Sequence, residues 1–197
     1  MEYAVDKVFA DIGAVTATFA LSDQRSMGRQ RNAVAIATEY GDRVWYGSVT
    51  IRPYHADEIE RIAARMESLT AADGTFLICP PDRLGATATA GEVTLIGAND
   101  RRVLRATNAG GQSEGDWIGI VYDGGRRGLH QVLSRDGSDI RVNPALPGPV
   151  TVGDPTTYGR PTIRARIDQG SYTPPTYQGV TADGLSFSWT QDARRAP

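Results

Sequence analysis

Asp42-Arg43-Val44-Trp45-Tyr46-Gly47-Ser48-Val49-Thr50-Ile51-Arg52 is the stretch on which the fold turns. Trp45, Gly47, Val49 and Ile51 fall on one face, and Val44, Tyr46, Ser48 and Thr50 on the other. That is the period of two of a half-buried strand. Downstream the period changes. Across residues 55–69, Ile59, Ile62, Ala63, Met66 and Leu69 form one apolar stripe at helical spacing. Asp57, Glu58 and Glu60 crowd its first turns, where the helix dipole favours negative charge. Pro53 upstream and Asp73-Gly74 downstream punctuate it, and Asp57 and Arg61 stand four apart on the wet face. Residues 75–79, Thr-Phe-Leu-Ile-Cys, are then a short apolar run closed by Pro80-Pro81, which reads as a buried strand. A helix laid over a sheet follows, with Trp45, Ile62, Met66 and Phe76 in one core.

Outward from this centre the chain reads as strands. Residues 34–40 and 44–51 predict a hairpin about the turn Tyr40-Gly41-Asp42. Residues 92–96, 102–106, 117–122, 128–133 and 140–142 are further short strands, with Gly97, Gly110-Gly111 and Gly124-Gly125 in the connections and a hard bend at Pro147-Gly148-Pro149. Residues 162–167 alternate Ile163, Ala165 and Ile167 with Thr162, Arg164 and Arg166. Leu185, Phe187 and Trp189 alternate again, and residues 170–179, with Pro174-Pro175, read as a loop. The expected fold is mainly β: one barrel- or sandwich-like domain over residues 1–197, with one amphipathic helix at about 56–69. A β-rich subdomain is expected to be inserted at about 85–143. The tail from Gln191 to Pro197 is expected to fray.

Composition narrows the function classes. The 197 residues hold 21 Lys+Arg against 23 Asp+Glu, without the basic excess that non-specific nucleic-acid binding requires. No stretch approaches the run of about 20 apolar residues that spans a membrane, and the start Met1-Glu-Tyr-Ala-Val-Asp-Lys7 lacks the pattern of a secretory signal. The expectation is a soluble, unexported protein without nucleic-acid or membrane partners. The single cysteine, Cys79, excludes an internal disulfide and a multi-thiolate metal site. Gly (22) and Pro (11) are abundant, in keeping with many turns. Lys7 is the only lysine. Arginine suits desolvated ion pairs at subunit interfaces, although a GC-rich genome would give the same bias.

Motifs of catalysis are scarce. The sequence has no Gly-x-Ser-x-Gly elbow, no His-Glu-x-x-His helix and neither glycine-rich nucleotide cradle. His55, at a strand-to-helix junction, fits a capping or surface role, and His130, in an alternating strand, is expected to face solvent or a contact. Cys79 sits in an apolar run with nothing basic beside it to form a thiolate, so it reads as a buried inert thiol. Glu114, Asp116 and Asp123 cluster around residues 117–122, with Asp136 and Asp139 one hairpin later. Such acids beside an exposed Trp117 could bind sugar or act as a glycosidase pair. Yet Glu114-Gly115, Asp123-Gly124 and Asp136-Gly137 are turn dipeptides. Arg101, Arg102 and Arg105, then Arg126 and Arg127, form the basic candidates, for solvated strand edges or inter-subunit ion pairs.

The order of these features resembles the siphophage distal tail proteins. The resemblance rests on Asp42-Arg-Val-Trp45-Tyr-Gly running into His55-Ala-Asp-Glu-Ile-Glu, and on Ser68-Leu-Thr-Ala-Ala-Asp-Gly-Thr-Phe76-Leu-Ile-Cys-Pro-Pro. It continues through Ser113-Glu-Gly115-Asp116-Trp117-Ile-Gly-Ile with Leu129-His-Gln-Val-Leu133. Ile140-Arg-Val-Asn-Pro144-Ala-Leu146, Arg164-Ala-Arg-Ile167 and Leu185-Ser-Phe-Ser-Trp189 close it, so it covers residues 34–190. It implies a belt-like structural domain of the virion, usually hexameric, that joins the last ring of the tail tube to the tail-tip hub. Its implied partners are further copies of itself, the tail tube protein and the hub protein; its implied location is the tail tip, after synthesis in the host cytoplasm. With the motifs of catalysis missing, no enzymatic activity and no required metal or cofactor are expected. Larger members add a carbohydrate-binding C-terminal module, and a chain ending at Pro197 reads as a minimal version without it. Closed rings need two different complementary faces on each subunit. Arg101, Arg102 and Arg105, with the acidic turns near Glu114 and Asp116, are the interface candidates. The competing readings are a carbohydrate- or receptor-binding β-sandwich, marked by an exposed aromatic platform, and a glycosidase or esterase, marked by activity that depends on Glu114 or Asp116.

Overall fold

The computed structural model describes residues 2–3, 15–22, 25–29, 35–39, 43–52, 54–83, 89–95, 100–107, 112–147 and 154–192. Mainly β structure is what it shows, with the amphipathic helix at Ala56–Ala71. One sheet runs in the order Glu2–Tyr3, Thr75–Ile78, Ile163–Ile167, Ser186–Gln191, Trp45–Ile51, Val15–Ala17, with Ala20–Leu21 also paired to Trp45–Ile51. Between its strands Thr75–Ile78 and Ile163–Ile167 the chain leaves to build a closed six-stranded barrel. The barrel order is Val103–Thr107, Asp139–Asn143, Arg127–Asp136, Trp117–Val121, Asp154–Tyr158, Thr89–Leu95. Its strands therefore run on to Tyr158, beyond the expected limit at residue 143. Asp154-Pro-Thr-Thr-Tyr158 has little apolar periodicity to announce a strand, but it is the piece that closes the barrel between Trp117–Val121 and Thr89–Leu95.

Burial follows the alternation in the decisive strand. Trp45, Val49 and Ile51 are buried while Tyr46 and Thr50 are exposed. The helix buries Ile59, Ile62, Ala63, Met66 and Leu69 against the same face. Phe76, fully buried in Thr75–Ile78, meets the Phe187 ring edge-on at 5.9 Å, and Trp45, Ile62, Met66 and Phe76 share that core. The helix ends where Asp73 takes a left-handed φ of 48° and Gly74 returns its N–H to the Leu69 carbonyl at 2.8 Å. Arg166, on the neighbouring strand, pairs with the Asp73 carboxylate.

A second core fills the barrel: Val93, Leu104, Ile118, Ile120, Val132, Ile140 and Val142 point inward with Tyr122, Leu146 and Tyr158. Sheet and barrel are joined by packing as well as by the chain. Leu129, on the barrel's outer face, belongs to the sheet core, and Trp117 packs against it.

Two expectations need correction. The strand Ala35–Glu39 pairs with Arg25–Arg29, not with Trp45–Ile51. The latter is claimed by Ser186–Gln191 on one edge and by Val15–Ala17 and Ala20–Leu21 on the other. A strand burying Trp45, Val49 and Ile51 gains more inside a sheet than in a two-stranded hairpin. Residues 170–179 are also not wholly loop, because Thr176–Gln178 forms a hairpin with Thr181–Asp183, whose other edge meets Tyr54–His55. The Tyr40-Gly41-Asp42 turn, Gly97, Gly110-Gly111, Gly148-Pro149 and residues 193–197 lie outside the described residues.

Candidate functional site

The arginines and the acidic turn are set apart. Arg101 and Arg102 lie in the turn that enters Val103–Thr107, and Arg105 lies within that strand. Glu114 and Asp116 lie in the turn that enters Trp117–Val121. These two strands are three places apart in a ring of six, so they stand on opposite walls of the barrel. Trp117–Val121 is on the wall that faces the sheet: Gly119 packs so closely on Pro161 that a Cβ there would meet the proline Cβ at 3.0 Å. The arginines occupy the far wall, joined by exposed Arg141 on the adjacent strand.

Each candidate has its local chemistry. Arg101 Nε donates to the Leu146 carbonyl, and Arg105 Nε donates to Asp139 Oδ1 at 3.1 Å in a solvated ion pair. Arg102 gives its backbone N–H to Asp100 Oδ1, and its side chain is exposed with no partner among the described residues. Glu114 is likewise exposed and unpaired among the described residues, beside Gly115 at φ 90°. Asp116 is committed: Oδ2 accepts the Ser113 N–H at 2.8 Å, and Oδ1 accepts from Arg83 Nη2 at 2.9 Å. Positive φ at Gly115, Gly124 and Gly137 bears out the turn reading of the acid-glycine dipeptides.

His130 is a correction. It is buried, 1% exposed, and sits on the barrel-interior side of Arg127–Asp136. Nδ1 donates to the Pro144 carbonyl at 2.9 Å, which leaves Nε2 to accept the Tyr122 hydroxyl at 2.7 Å. Burial lowers its pKa to about 4, against the smaller upward pull of the Pro144 hydrogen bond. Gly128 makes room for the pair, since a Cβ there would lie 2.6 Å from the Tyr122 ring and 2.8 Å from His130 Nε2. With both ring nitrogens hydrogen-bonded, this imidazole ties Tyr122 to the Pro144 carbonyl. His55 is exposed at the helix start and makes no side-chain cap. Cys79 is buried, as a thiol in that apolar run should be.

Sequence reasoning missed a cleft at the seam. It has a volume of about 230 Å³ and is lined by Arg83, Gln112, Asp116, Trp117, Tyr158 and neighbouring backbone. Trp117 is half-buried rather than exposed, and its ring meets the Trp45 ring edge-on at 5.2 Å. Burial raises the Tyr158 phenol pKa, with the Thr156 hydroxyl pulling the other way. Gln112 follows the Gly110-Gly111 connection, where no periodicity announces it. Among the described residues, no group of three or more His, Cys, Asp or Glu is arranged to hold a metal. No protein-family model matches the sequence, and comparison with curated proteins finds no match.

Proposed function

We propose that the chain is a structural ring subunit of a phage tail tip, joining a long non-contractile tail tube to the tip hub. The observation that supports this most is the separation of the arginine-bearing wall from Glu114. A head-to-tail ring needs complementary surfaces on different sides of one subunit, and it closes when the rotation between neighbours divides the full turn. On the far barrel wall Arg101, Arg102, Arg105 and Arg141 stand together, with Asp100, Asp139 and Glu92 of the adjoining strands as the acids near them. Glu114 stands on the seam side. The order of strand, helix and buried strand that carries the resemblance to distal tail proteins adds weight.

Arg102 and Glu114 are the pair to test, because neither is used within the subunit among the described residues. Arg102→Glu or Glu114→Arg alone is expected to reduce incorporation of the protein into assembled tails at least about tenfold, each placing like charges across the contact. The double exchange is expected to restore it. Single variants that assemble as well as the parent, or a double exchange that rescues nothing, would remove these patches from the interface.

A further inference from the structure

The lining of the seam cleft is more than packing requires. Gln112 Oε1 is buried and has no hydrogen-bond partner among the described residues. Such an acceptor is costly to leave bare, so the site favours an occupant that donates to it. Beside it the Arg83–Asp116 pair forms a wall whose side chains are 32% and 33% exposed. Asp116 Oδ1 and Oδ2 each accept one protein hydrogen bond and keep a lone pair for another; the guanidinium keeps unused N–H groups. Trp117, held by Trp45, supplies apolar ring surface.

The charges decide the class of ligand. An anion drawn by Arg83 meets Asp116 within hydrogen-bonding reach of the same guanidinium, and a cation drawn by Asp116 meets Arg83. A metal ion finds one carboxylate, already shared. What suits a neutral wall of alternating donors and acceptors is a ligand whose groups both donate and accept on neighbouring carbons, with a C–H surface for the indole. A volume of about 230 Å³ corresponds to the space of about eight waters, enough for a single sugar ring. We propose that this cleft binds one neutral, hexose-type saccharide unit, with Gln112 and Asp116 accepting from adjacent hydroxyls and Arg83 donating. The assignment is argued from the cleft alone.

Intrinsic tryptophan fluorescence of the full chain tests it, titrated with D-glucose, D-galactose, D-mannose and N-acetyl-D-glucosamine. Trp45 and Trp189 are buried at 5% and 0% exposure, so a ligand-dependent change reports on Trp117. At least one sugar is expected to give a saturable change. Gln112→Ala is expected to weaken that binding about tenfold, a loss of about 1.4 kcal/mol, at an unchanged melting temperature. Asp116→Asn, which keeps an acceptor but loses the charge that holds Arg83, is expected to weaken it as well. No saturable response to any of the four sugars overturns the proposal. So does saturable binding that Gln112→Ala leaves untouched, and so does a site that answers to inorganic phosphate but to none of the sugars.

Discussion

Trp45 donates its indole N–H to the backbone carbonyl of Leu129 at 2.7 Å, so a sheet residue satisfies a barrel strand inside the packed seam. The bond holds the two parts of the molecule in register from the sheet side, while Leu129 inserts into the sheet core from the barrel side. Trp45→Phe keeps most of the apolar ring but leaves the carbonyl bare. The expected loss is about 1–3 kcal/mol in chemical denaturation, the cost of an unsatisfied buried acceptor. A change below a few tenths would mean that the seam contributes nothing to the folded state.

Phe76 tests the sheet core. Fully buried, with the helix above it and Phe187 beside it, Phe76→Ala should destabilise by about 3–5 kcal/mol through lost burial and the cavity left behind. The measurement is a urea titration of parent and variant at one pH.

Gly47 tests close approach within the sheet. A Cβ at this position would lie 1.8 Å from the backbone carbonyl oxygen of Thr18, a residue whose N–H is itself tied to the Ser48 carbonyl at 2.9 Å. Gly47→Ala must push two backbones apart, and a loss of about 1–3 kcal/mol is expected, as for overpacked cores. Gly137→Ala makes the contrast: nothing stands near its Cβ, so only the left-handed φ of 58° opposes the change.

His130 gives a pH dependence of definite sign. It stays neutral when folded, with a pKa of about 4 against the ordinary 6.5, so below pH 6.5 the unfolded chain takes up a proton that the folded chain refuses. Its contribution to pH dependence is nil above about pH 6.5. Stability then falls as pH drops toward 4, by about 3 kcal/mol in all. His130→Gln, which does not titrate, should lose that part of the slope in unfolding curves taken from pH 7 to pH 4. An unaltered slope would place the acid sensitivity elsewhere.

Periodic burial was what made the fold legible. The stripe from Ile59 to Leu69 and the alternation from Trp45 to Ile51 each face one core, and one-sided burial writes a period into the sequence. Where a strand is buried on both faces the period vanishes. Gly128, Leu129 and His130 are consecutive and all buried, because Leu129 enters the sheet core while His130 faces the barrel interior. Arg164 is buried in a strand whose alternation marked it as wet. Partnership was legible only where the pattern left few choices. Ile163–Ile167 and Ser186–Gln191 pair with each other and with early strands, as the alternation required. The turn signal at Gly41-Asp42 pointed to the wrong partner. Of the candidate residues, the acidic turns could be read from their glycines; the cleft could not, since Arg83, the connection that carries Gln112 and Asp116, and the strand end at Tyr158 are far apart in sequence and meet only when the barrel closes.

The most direct measurement of the proposed role is imaging of assembled particles by cryo-electron microscopy, with this chain fitted to the density of the tail tip. The expected result is six copies in one ring between the last tube ring and the hub, with the Arg102 wall of each copy against the Glu114 side of the next. Density that places the chain in fibres or on the capsid, or particles that lack it altogether, would contradict the ring-subunit account.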